Sequence, residues 1–506
     1  MKFEKDTRIT SNNRRTNGDR IISNNMSNRF KAFRYSLRAL ILLGIFFFQS
    51  TGVLAQVTSP IWRNPIDMTQ ASTSSNALYP LVLCDQYQNT HILWSDRFEE
   101  SALYYMNDIS GDWSAPIDVI TNRDDIRLMI KLSAAIEDNT DILHVLWVDQ
   151  WIKGVLHYSQ VPISAASNPR SWMKSVPIAL GTENGAIDVD QAGNLHVVYG
   201  TSGADNLEVG IDYIRSKDGG HTWSTPINVV SKKVPFPSDP YAEIAVDDTG
   251  RIHVGITYRS QDYGNYSEVG YARSIDGGTT WNDYELIDDL GTAWQGVSTI
   301  SPYAFGDNEI HLTWHDPRRM HRWSNDGGST WSEPDQVMRL GAAFGGANAL
   351  TQDSSGAIHM VTAINQGVYS ARWDGSMWGP PERIEDREID PHGQDIAICQ
   401  GNKLQVVYDD RNDSQKIWYS NRTVDAPRMD RQLLPLPVPP TEEGNSSALP
   451  IVATPDIIEG GTPTASGLIE IPDNSDQSPS NPLTPLLIAS GVVIAMILII
   501  IFVKRR

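Results

Sequence analysis

The sequence S-I-D-G-G-T-T-W at Ser274–Trp281 decides how this chain is organised. It occurs twice more with few changes, as S-K-D-G-G-H-T-W at Ser216–Trp223 and as S-N-D-G-G-S-T-W at Ser324–Trp331. Serine and aspartate side chains close tight turns by bonding nearby backbone amides, and paired glycines permit positive φ. The tryptophan then anchors the turn to an apolar core. The copies start 58 and 50 residues apart, which indicates a repeated structural unit.

A second marker repeats along the chain, a short apolar strand with a histidine near its start. Six strands carry it, at His91, His144, His196, His253, His311 and His359, and a seventh has Gln405 in that place. Neighbouring markers lie 46 to 58 residues apart. Further short alternating runs and Gly/Asn/Asp turns flank each one, a pattern typical of antiparallel strands. Four strands repeated every ~50 residues predict the blades of an all-β fold, the β-propeller.

The seventh unit ends without a fourth strand, because a polar segment follows its third strand at Lys416–Ser420. The missing strand is predicted at the start of the domain. I-W-R-N-P-I-D at Ile61–Asp67 matches D-W-S-A-P-I-D at Asp112–Asp118, which precedes a fourth strand. We therefore predict that residues 58–68 supply the outer strand of the last blade. This closes a seven-bladed ring, and a six-bladed ring is the alternative.

Both ends of the chain differ from the repeats. Residues 1–55 are basic and end in an apolar run followed by small residues, which predicts a signal peptide or an uncleaved anchor. Residues 56–426 form the predicted propeller, and residues 427–484, rich in Pro, Ser, Thr and acids, predict a disordered stalk. Residues 485–506 predict a transmembrane helix with a basic cytoplasmic end. The expected location is the cell membrane, with the propeller outside the cytoplasm.

The charge balance narrows the class of partner. The net charge is −20, residues 1–55 carry +7 and the last three residues carry +3, so residues 56–503 carry −20 − 7 − 3 = −30. An acidic body argues against nucleic acid as a partner. The only cysteines, Cys84 and Cys399, fall at matching places in the first and last units. They are either two small buried residues or a disulfide that joins neighbouring blades.

The three intact turns are Asp boxes, S-x-D-x-G-x-x-W. With the strand motifs before them, residues 58–425 resemble the Asp-box (BNR-repeat) propellers of the sialidase-like superfamily. Sialidases of this superfamily have six blades, bind the sialic carboxylate with three arginines, and use a Tyr–Glu nucleophile pair with an Asp acid/base. Their first arginine lies in an F/Y-R-I-P motif, which this sequence lacks. Arg63, in W-R-N-P, aligns with a fourth strand and is not assigned that role.

The richest set of polar residues lies in the second turn of the blades, where an aromatic residue, an acid and usually an arginine recur. In a four-stranded meander these turns lie opposite the Asp boxes, around one funnel. Carboxylates, guanidinium groups and aromatic rings together suit a sugar or an anionic sugar. The candidate catalytic acids are Asp96, Asp149, Asp262, Asp316 and Asp409. The candidate ligand-binding residues are Arg97, Trp151, Arg259, Tyr263, Arg318, Arg319, Arg411 and Trp294.

The alternative interpretation is that each Asp–Arg unit is a local salt bridge repeated by duplication. The repeated histidines lie on strands, one per blade, so we predict no metal site, and we expect no cofactor. The favoured function is binding of a carbohydrate or a cell-surface protein at the funnel by a membrane-tethered propeller. The alternative is an exo-acting glycoside hydrolase of sialidase type, so the sequence leaves open whether the protein is an enzyme.

Overall fold

The computed structural model describes residues 61–434, except 73, 75, 97–101, 122–128, 150–153, 183, 204–206, 235–238, 261–265, 292–299, 316–317, 340–347, 365, 392, 413–414 and 433. The described residues form seven antiparallel sheets of four strands each. The prediction of a seven-bladed propeller is therefore confirmed, and the six-bladed alternative is wrong.

Each blade is a meander whose strands follow one another in sequence, except in the last blade. Blade 1 contains β2 Ala77–Cys84, β3 Thr90–Asp96, β4 Ala102–Asn107 and β5 Ile117–Thr121. Blade 2 contains β6 Met129–Glu137, β7 Ile142–Asp149, β8 Val155–Pro162 and β9 Val176–Leu180, with short 3₁₀ helices at Ile163–Ala165 and Pro169–Ser171. Blade 3 contains β10 Gly185–Val189, β11 Leu195–Ser202, β12 Glu208–Ser216 and β13 Ile227–Lys233.

The other four blades follow the same plan. Blade 4 contains β14 Asp239–Val246, β15 Ile252–Ser260, β16 Tyr266–Ser274 and β17 Glu285–Gly291. Blade 5 contains β18 Ser301–Phe305, β19 Glu309–His315, β20 Arg318–Ser324 and β21 Asp335–Arg339. Blade 6 contains β22 Ala349–Gln352, β23 Ile358–Ile364, β24 Gly367–Trp373 and β25 Glu382–Glu385. Blade 7 contains β26 Gln394–Cys399, β27 Lys403–Asp410, β28 Lys416–Thr423 and, from the start of the domain, β1 Ile66–Asp67.

The ring is closed by the N-terminal strand, as the repeat predicted. Ile66 of β1 pairs with Tyr419 of β28. Before it, the buried Trp62 donates its indole N–H to Ser370 Oγ of blade 6 at 3.1 Å. A disulfide between Cys84 and Cys399 joins the first strands of blades 1 and 7, with 5.5 Å between the Cα atoms. Of the two interpretations of the cysteines, the structure therefore has the disulfide.

The hydrophobic core lies between the blades and is not a single central mass. Leu93 and Tyr105 of blade 1 pack with Trp147 of blade 2 in one apolar cluster, for example. Burying a side chain of this size stabilises the fold by about 2–3 kcal/mol relative to leaving it exposed. Each blade is thus held mainly by the faces of its two neighbours, which explains why the ring must close.

The Asp boxes and the marker histidines fasten neighbouring blades together. Within the box of blade 4, Ser274 Oγ donates to Asp276 at 2.8 Å and accepts from Gly278 N at 2.9 Å. Trp281 then packs edge-on against Tyr213 of blade 3, with ring centroids 5.3 Å apart. That tyrosine hydroxyl lies 2.7 Å from Nδ1 of the marker His196. The marker histidine of blade 3 is therefore linked to the Asp box of blade 4 through Tyr213.

The chain after β28 turns back over the propeller, on the face that carries the Asp boxes. Met429 N donates to Gln400 O of blade 7 at 2.8 Å, and Gln432 N donates to Tyr87 O of blade 1 at 3.0 Å. Leu434 packs against the cluster between blades 1 and 2. We call residues 427–434 the strap. They lie within the segment that the sequence assigned to the stalk.

Within the described ranges, no helix has the length and apolar character that crossing a membrane requires. The predicted signal segment at 1–55 and the predicted transmembrane helix at 485–506 lie outside those ranges. Both stay predictions.

Candidate functional site

The strand order gives the ring two chemically different faces. We call one the funnel face, at which the second strand of each blade ends, for example at Asp96 in blade 1 and Asp149 in blade 2. We call the other the Asp-box face, because it carries the Ser–Asp–Gly–Trp turns between third and fourth strands. The Asp-box residues and the polar residues of the second turns therefore belong to opposite faces.

The register of the sheets shows which of the predicted acids are equivalent. Asp96 follows the marker His91 by five positions, and Asp149 follows His144 by five. The residue five positions after Gln405 is Asp410, which pairs with Lys416 as Asp149 pairs with Val155. Asp410, rather than Asp409, is thus the structural counterpart of Asp96 and Asp149. Asp262 and Asp316 lie outside the described residues.

Asp409 stabilises the ring by accepting backbone hydrogen bonds. Its side chain is fully buried, and its two carboxylate oxygens accept from Tyr79 N at 3.0 Å and from Gly393 N at 3.1 Å. It therefore ties blade 7 to the first strand of blade 1. Asp96 and Asp149 keep 4% and 9% of their surface exposed, so they are the described candidate acids closest to solvent at this face.

The aromatic residues two positions before Asp96 and Asp149 are Trp94 and Trp147. Trp94 stacks on Tyr104 with ring centroids 5.4 Å apart, and Trp147 stacks on His157 at 5.6 Å. Both indoles are fully buried, so these rings cannot act as exposed platforms for a sugar. Trp151, Tyr263 and Trp294, the predicted ligand-binding aromatics, lie outside the described residues.

The predicted arginines that can be placed are engaged by protein groups. Arg411 pairs with Asp390 at 2.6 Å. Arg319 is fully buried and donates through Nε to Thr362 Oγ1 of blade 6 at 2.8 Å. Arg318 is half-buried at the start of β20. Arg97 lies outside the described residues, and Arg259 is described only as part of β15.

A lysine near the axis was not singled out from the sequence. Lys131 sits on a bulge in β6 with φ 48°, and Tyr79 sits on the corresponding bulge in β2 with φ 54°. The bulge directs the Lys131 ammonium onto Tyr241 of blade 4, 3.4 Å from the ring centroid. An ammonium on a tyrosine face is a favourable cation–π contact. The available signal was a lysine near the start of a largely apolar strand.

Acidic side chains also lie on the innermost strands, and one of them, Glu243, interacts with Lys131. Burial raises the pKa of Glu243, which the Lys131 ammonium opposes. Burial also raises the pKa of Asp395 to about 7 and that of Asp188 to about 6. Asp395 accepts from Val82 N at 3.0 Å, and Asp188 accepts from Val246 N at 2.7 Å. Because the inner strand of a blade has one unpaired edge, these carboxylates satisfy amides of the next blade.

One tyrosine–glutamate pair exists at the funnel side of blade 7. Tyr408 donates its hydroxyl to Glu385 Oε2 at 2.8 Å, and Arg387 pairs with the same carboxylate at 2.7 Å. Tyr408 is fully buried, and burial followed by the Glu385 charge raises its pKa. A hydroxyl in this state is a poor nucleophile. The pair joins blades 6 and 7, and it does not reproduce the Tyr–Glu site that the resemblance implied.

No group of three His, Cys, Asp or Glu side chains in the described part of the chain is arranged to hold a metal ion. The described titratable groups at the funnel face can offer hydrogen bonds and charge. Carboxylates at strand ends and an axial ammonium can recognise hydroxyl groups or small charged groups.

Comparisons with known proteins agree with this architecture. The profile of the BNR repeat-like domain matches residues 161–420. No curated protein sequence matches significantly. Similar solved structures include a protein of unknown function from Dyadobacter fermentans, with 12% identity, a TM-score of 0.46, and coverage of 73% of this chain and 100% of that one.

An intramolecular trans-sialidase from Ruminococcus gnavus is also similar, with 12% identity, a TM-score of 0.42, and coverage of 75% of this chain and 100% of that one. An ulvan lyase shows 13% identity, a TM-score of 0.48, and coverage of 74% and 96%. Likeness at this level concerns the fold alone. The domain match spans more than half of the chain and coincides with the blades that carry the intact Asp boxes. The chain therefore belongs to the BNR repeat-like domain family.

Proposed function

We propose that this protein binds carbohydrate at its funnel face, as a propeller tethered to the outer side of a membrane. The observation that carries the proposal is the set of charged side chains at the funnel face. On the Asp-box face the polar side chains bond one another, as Ser274, Asp276 and Thr280 do. On the funnel face, Asp96 and Asp149 are the last residues of equivalent strands in blades 1 and 2. The ammonium of Lys131, on the first strand of blade 2, lies over the ring of Tyr241 in blade 4.

Binding is better supported than hydrolysis. A glycoside hydrolase needs two carboxyl groups, or a tyrosine and an acid partner, that reach the substrate. Asp409 is fully buried with both oxygens occupied by backbone amides, and Tyr408 is fully buried beside Glu385. These groups support the fold. Turnover of a glycoside is therefore the outcome that would contradict the binding proposal.

The proposed location rests on both ends of the chain and on the disulfide. A Cys84–Cys399 bond is compatible with an oxidising compartment outside the cytoplasm. The strap leads residue 434 across the Asp-box face.

The test uses the full-length protein in mild detergent on a glycan array, together with a panel of fluorogenic glycosides. We expect binding without turnover, and we expect Lys131→Met and Asp149→Asn to weaken it. Lys217→Met removes an exposed lysine from an Asp box on the opposite face and should leave binding unchanged. Loss of binding in all three variants alike would argue against a funnel site.

Location is tested separately. Membrane fractionation of cells that produce the full chain should recover it with the membranes, and external protease should degrade the propeller epitope. Protection of that epitope in intact cells would overturn the proposed orientation.

A further inference from the structure

The third strand of each blade has one residue that connects the marker of its own blade to the next blade. In five blades this residue is a tyrosine, whose hydroxyl hydrogen-bonds to the marker side chain: Tyr105, Tyr158, Tyr213, Tyr271 and Tyr419. Each of these rings packs edge-on against the tryptophan of the third turn in the next blade. The position lies two residues before the strand partner of the marker. In blade 6 it holds Ser370, and in blade 5 it holds His321.

His321 replaces the tyrosine within a continuous chain of hydrogen bonds. Its Nε2 lies 2.7 Å from Nδ1 of the marker His311, and Nε2 of His311 lies 3.2 Å from Glu309 Oε1. At the other end, Trp378 in the third turn of blade 6 donates its indole N–H to Nδ1 of His321 at 3.0 Å. The chain therefore runs from blade 6 through both imidazoles to a carboxylate at the start of β19.

The chemistry of the two ends decides where the protons of this chain lie. The indole nitrogen only donates, so Nδ1 of His321 accepts and its Nε2 carries the proton. That proton is donated to Nδ1 of His311, whose own proton lies on Nε2 and is donated to Glu309. The hydrogen bond from His311 lowers the pKa of Glu309, which favours the carboxylate that accepts. All three bonds therefore run in one direction through two neutral imidazoles.

An additional proton has no acceptor in this chain. On Nδ1 of His321 it would face the N–H of Trp378, and on Nδ1 of His311 it would face the N–H of His321. In either place two donors would oppose each other, and a buried donor without an acceptor destabilises the structure around it. Protonation of either histidine therefore breaks a bond of the chain.

The tyrosine blades differ because a hydroxyl group both donates and accepts. In blade 3, Tyr213 Oη lies 2.7 Å from Nδ1 of His196 and 3.3 Å from Gly277 O. It can therefore accept from a protonated imidazole and donate to the carbonyl, while Asp190 accepts at Nε2 of the histidine at 3.2 Å. In blade 7 the marker is Gln405, a side chain that does not titrate. Replacing the tyrosine by a histidine removes this tolerance of an added proton.

The packing around His321 does not stabilise an added charge. Both imidazoles of the chain are fully buried. Trp373 and Trp378 of blade 6 lie edge-on to the His321 ring, with centroids 5.1 and 5.2 Å away. Burial, followed by repulsion from His311, lowers the pKa of His321 well below its ordinary value. The buried form of this histidine is therefore the neutral one.

The charged groups described near His321 in blade 5 do not compensate for burial. Asp335 lies opposite His321 in the register of β21, but it is exposed to water. Arg319, two residues earlier on β20, is itself a buried cation. Glu309 contacts the other imidazole, that of His311. None of these three groups gives His321 a buried counter-ion.

We propose that this contact between blades 5 and 6 is an acid-sensitive switch, intact while His311 and His321 are neutral and opened by the uptake of a proton. In the open state the imidazoles meet water, where the pKa of a histidine is about 6.5. Because the closed state binds fewer protons than the open one, opening is favoured as pH falls below that value and suppressed above it. The proposal does not depend on carbohydrate binding.

Hydrogen–deuterium exchange of the full-length protein in mild detergent tests the switch without any variant. The reporter is the third turn of blade 6, where Gly379 N donates to Arg372 O at 2.8 Å. The reference is the same turn of blade 1, where Ser114 N donates to Asn107 O at 2.7 Å and which packs on blade 7. After correction for intrinsic exchange rates, opening of the blade 6 turn should increase up to about tenfold per pH unit below about pH 6.5. The blade 1 turn should not follow it, and equal pH dependence in both turns would overturn the proposal.

A variant tests the role of His321 directly. His321→Tyr gives blade 5 the residue that five other blades have, so the increase in exchange of the blade 6 turn below about pH 6.5 should disappear. His221→Tyr, an exposed change in the Asp box of blade 3, should keep the wild-type pH dependence. If His321→Tyr opens in acid as the wild type does, the assignment to His321 is wrong. Should that variant fail to fold, the comparison of the two wild-type turns decides.

Discussion

At the scale of single residues, the second glycine of each intact Asp box has little freedom to change. A Cβ built on Gly278 would lie 2.2 Å from the ring of Tyr213, and one on Gly220 would lie 2.2 Å from Tyr158. The glycine is needed because the preceding blade approaches so closely, in addition to its φ of +81°. The first glycine of the same turn, Gly277, has a φ of +66° and its nearest atom at 3.7 Å.

Replacing Gly277 and Gly278 by alanine, one at a time, separates the cost of positive φ from the cost of the close contact with Tyr213. Gly278→Ala should lower the free energy of unfolding by about 3–5 kcal/mol, since overpacking adds to the cost of positive φ. Gly277→Ala should cost only about 1–2 kcal/mol, the cost of positive φ alone. Urea denaturation of both variants measures the difference. Equal losses would show that the tyrosine moves aside freely.

The box aspartates should make stability depend on acid pH. The hydrogen bond from the Thr280 hydroxyl is the largest cause that lowers the pKa of Asp276 to about 2, and Asp218 is lowered to about 2 in the same way. Because the folded-state pKa is depressed, this contribution is complete above about pH 4 and disappears as pH falls towards 2.

Asp276→Asn removes one such titration. Its urea midpoint should therefore decline less steeply than that of the wild type between about pH 4 and pH 2.5. Asp283→Asn, an exposed change just beyond the box, serves as the control. A decline as steep as that of the wild type would refute the role of the box carboxylate.

At the scale of elements, the strap at 427–434 secures the place where the ring closes. Arg431 pairs with Asp108 at 2.7 Å and donates to the backbone carbonyl of the same residue at 2.9 Å. Asp108 also accepts from Thr90 N at 2.7 Å and is nearly fully buried. Removing the arginine leaves a buried carboxylate without its cation.

Arg431→Ala should therefore lower the free energy of unfolding by about 1–3 kcal/mol. Arg428, three residues earlier, is exposed and lies 3.9 Å from an exposed Asp430. Arg428→Ala should be close to neutral, as expected for a surface pair. If chemical denaturation finds both variants equal, the strap does not contribute to closure.

At the scale of the whole molecule, blades 7 and 1 are joined by several independent connections. β1 completes blade 7 beside β28, Asp409 accepts amide hydrogens from Tyr79 and Gly393, and the Cys84–Cys399 bond spans 315 residues of sequence. Blades 7 and 1 are also joined by the chain, because β1 of blade 7 leads into β2 of blade 1. Blade 7 alone is built from both ends of the domain, so its fourth strand is held to β28 by strand pairing and has no chain connection to it, which explains why the closure has extra connections.

The double variant Cys84→Ala/Cys399→Ala should lose about 2–4 kcal/mol, because a disulfide restricts the unfolded chain and the other connections persist. Unfolding monitored by tryptophan fluorescence tests this, with reduced wild-type protein as the matched comparison. An unchanged midpoint in both would mean that strand pairing and the strap suffice.

Sequence periodicity predicted most of the fold because propeller blades are local structures. The turn at Ser274–Trp281 and the marker His253 each fall within one meander, so their spacing counts the blades directly. The site was less predictable. An aromatic residue before each candidate acid suggested sugar contacts, yet two of these residues, Trp94 and Trp147, are completely buried. Asp409 and Asp410 are neighbours in sequence, and only the strand register shows which one matches Asp149.

The sequence by itself determined the all-β class, the number of blades, the closing role of the N-terminal strand and the family, because each depends on motifs at short range along the chain. The tertiary structure decided which polar groups are engaged by the fold. Asp409, Arg319 and Tyr408 all find their partners on other blades, at sequence distances that no local pattern encodes. Packing also buries Trp147, which stacks on His157 of the same blade.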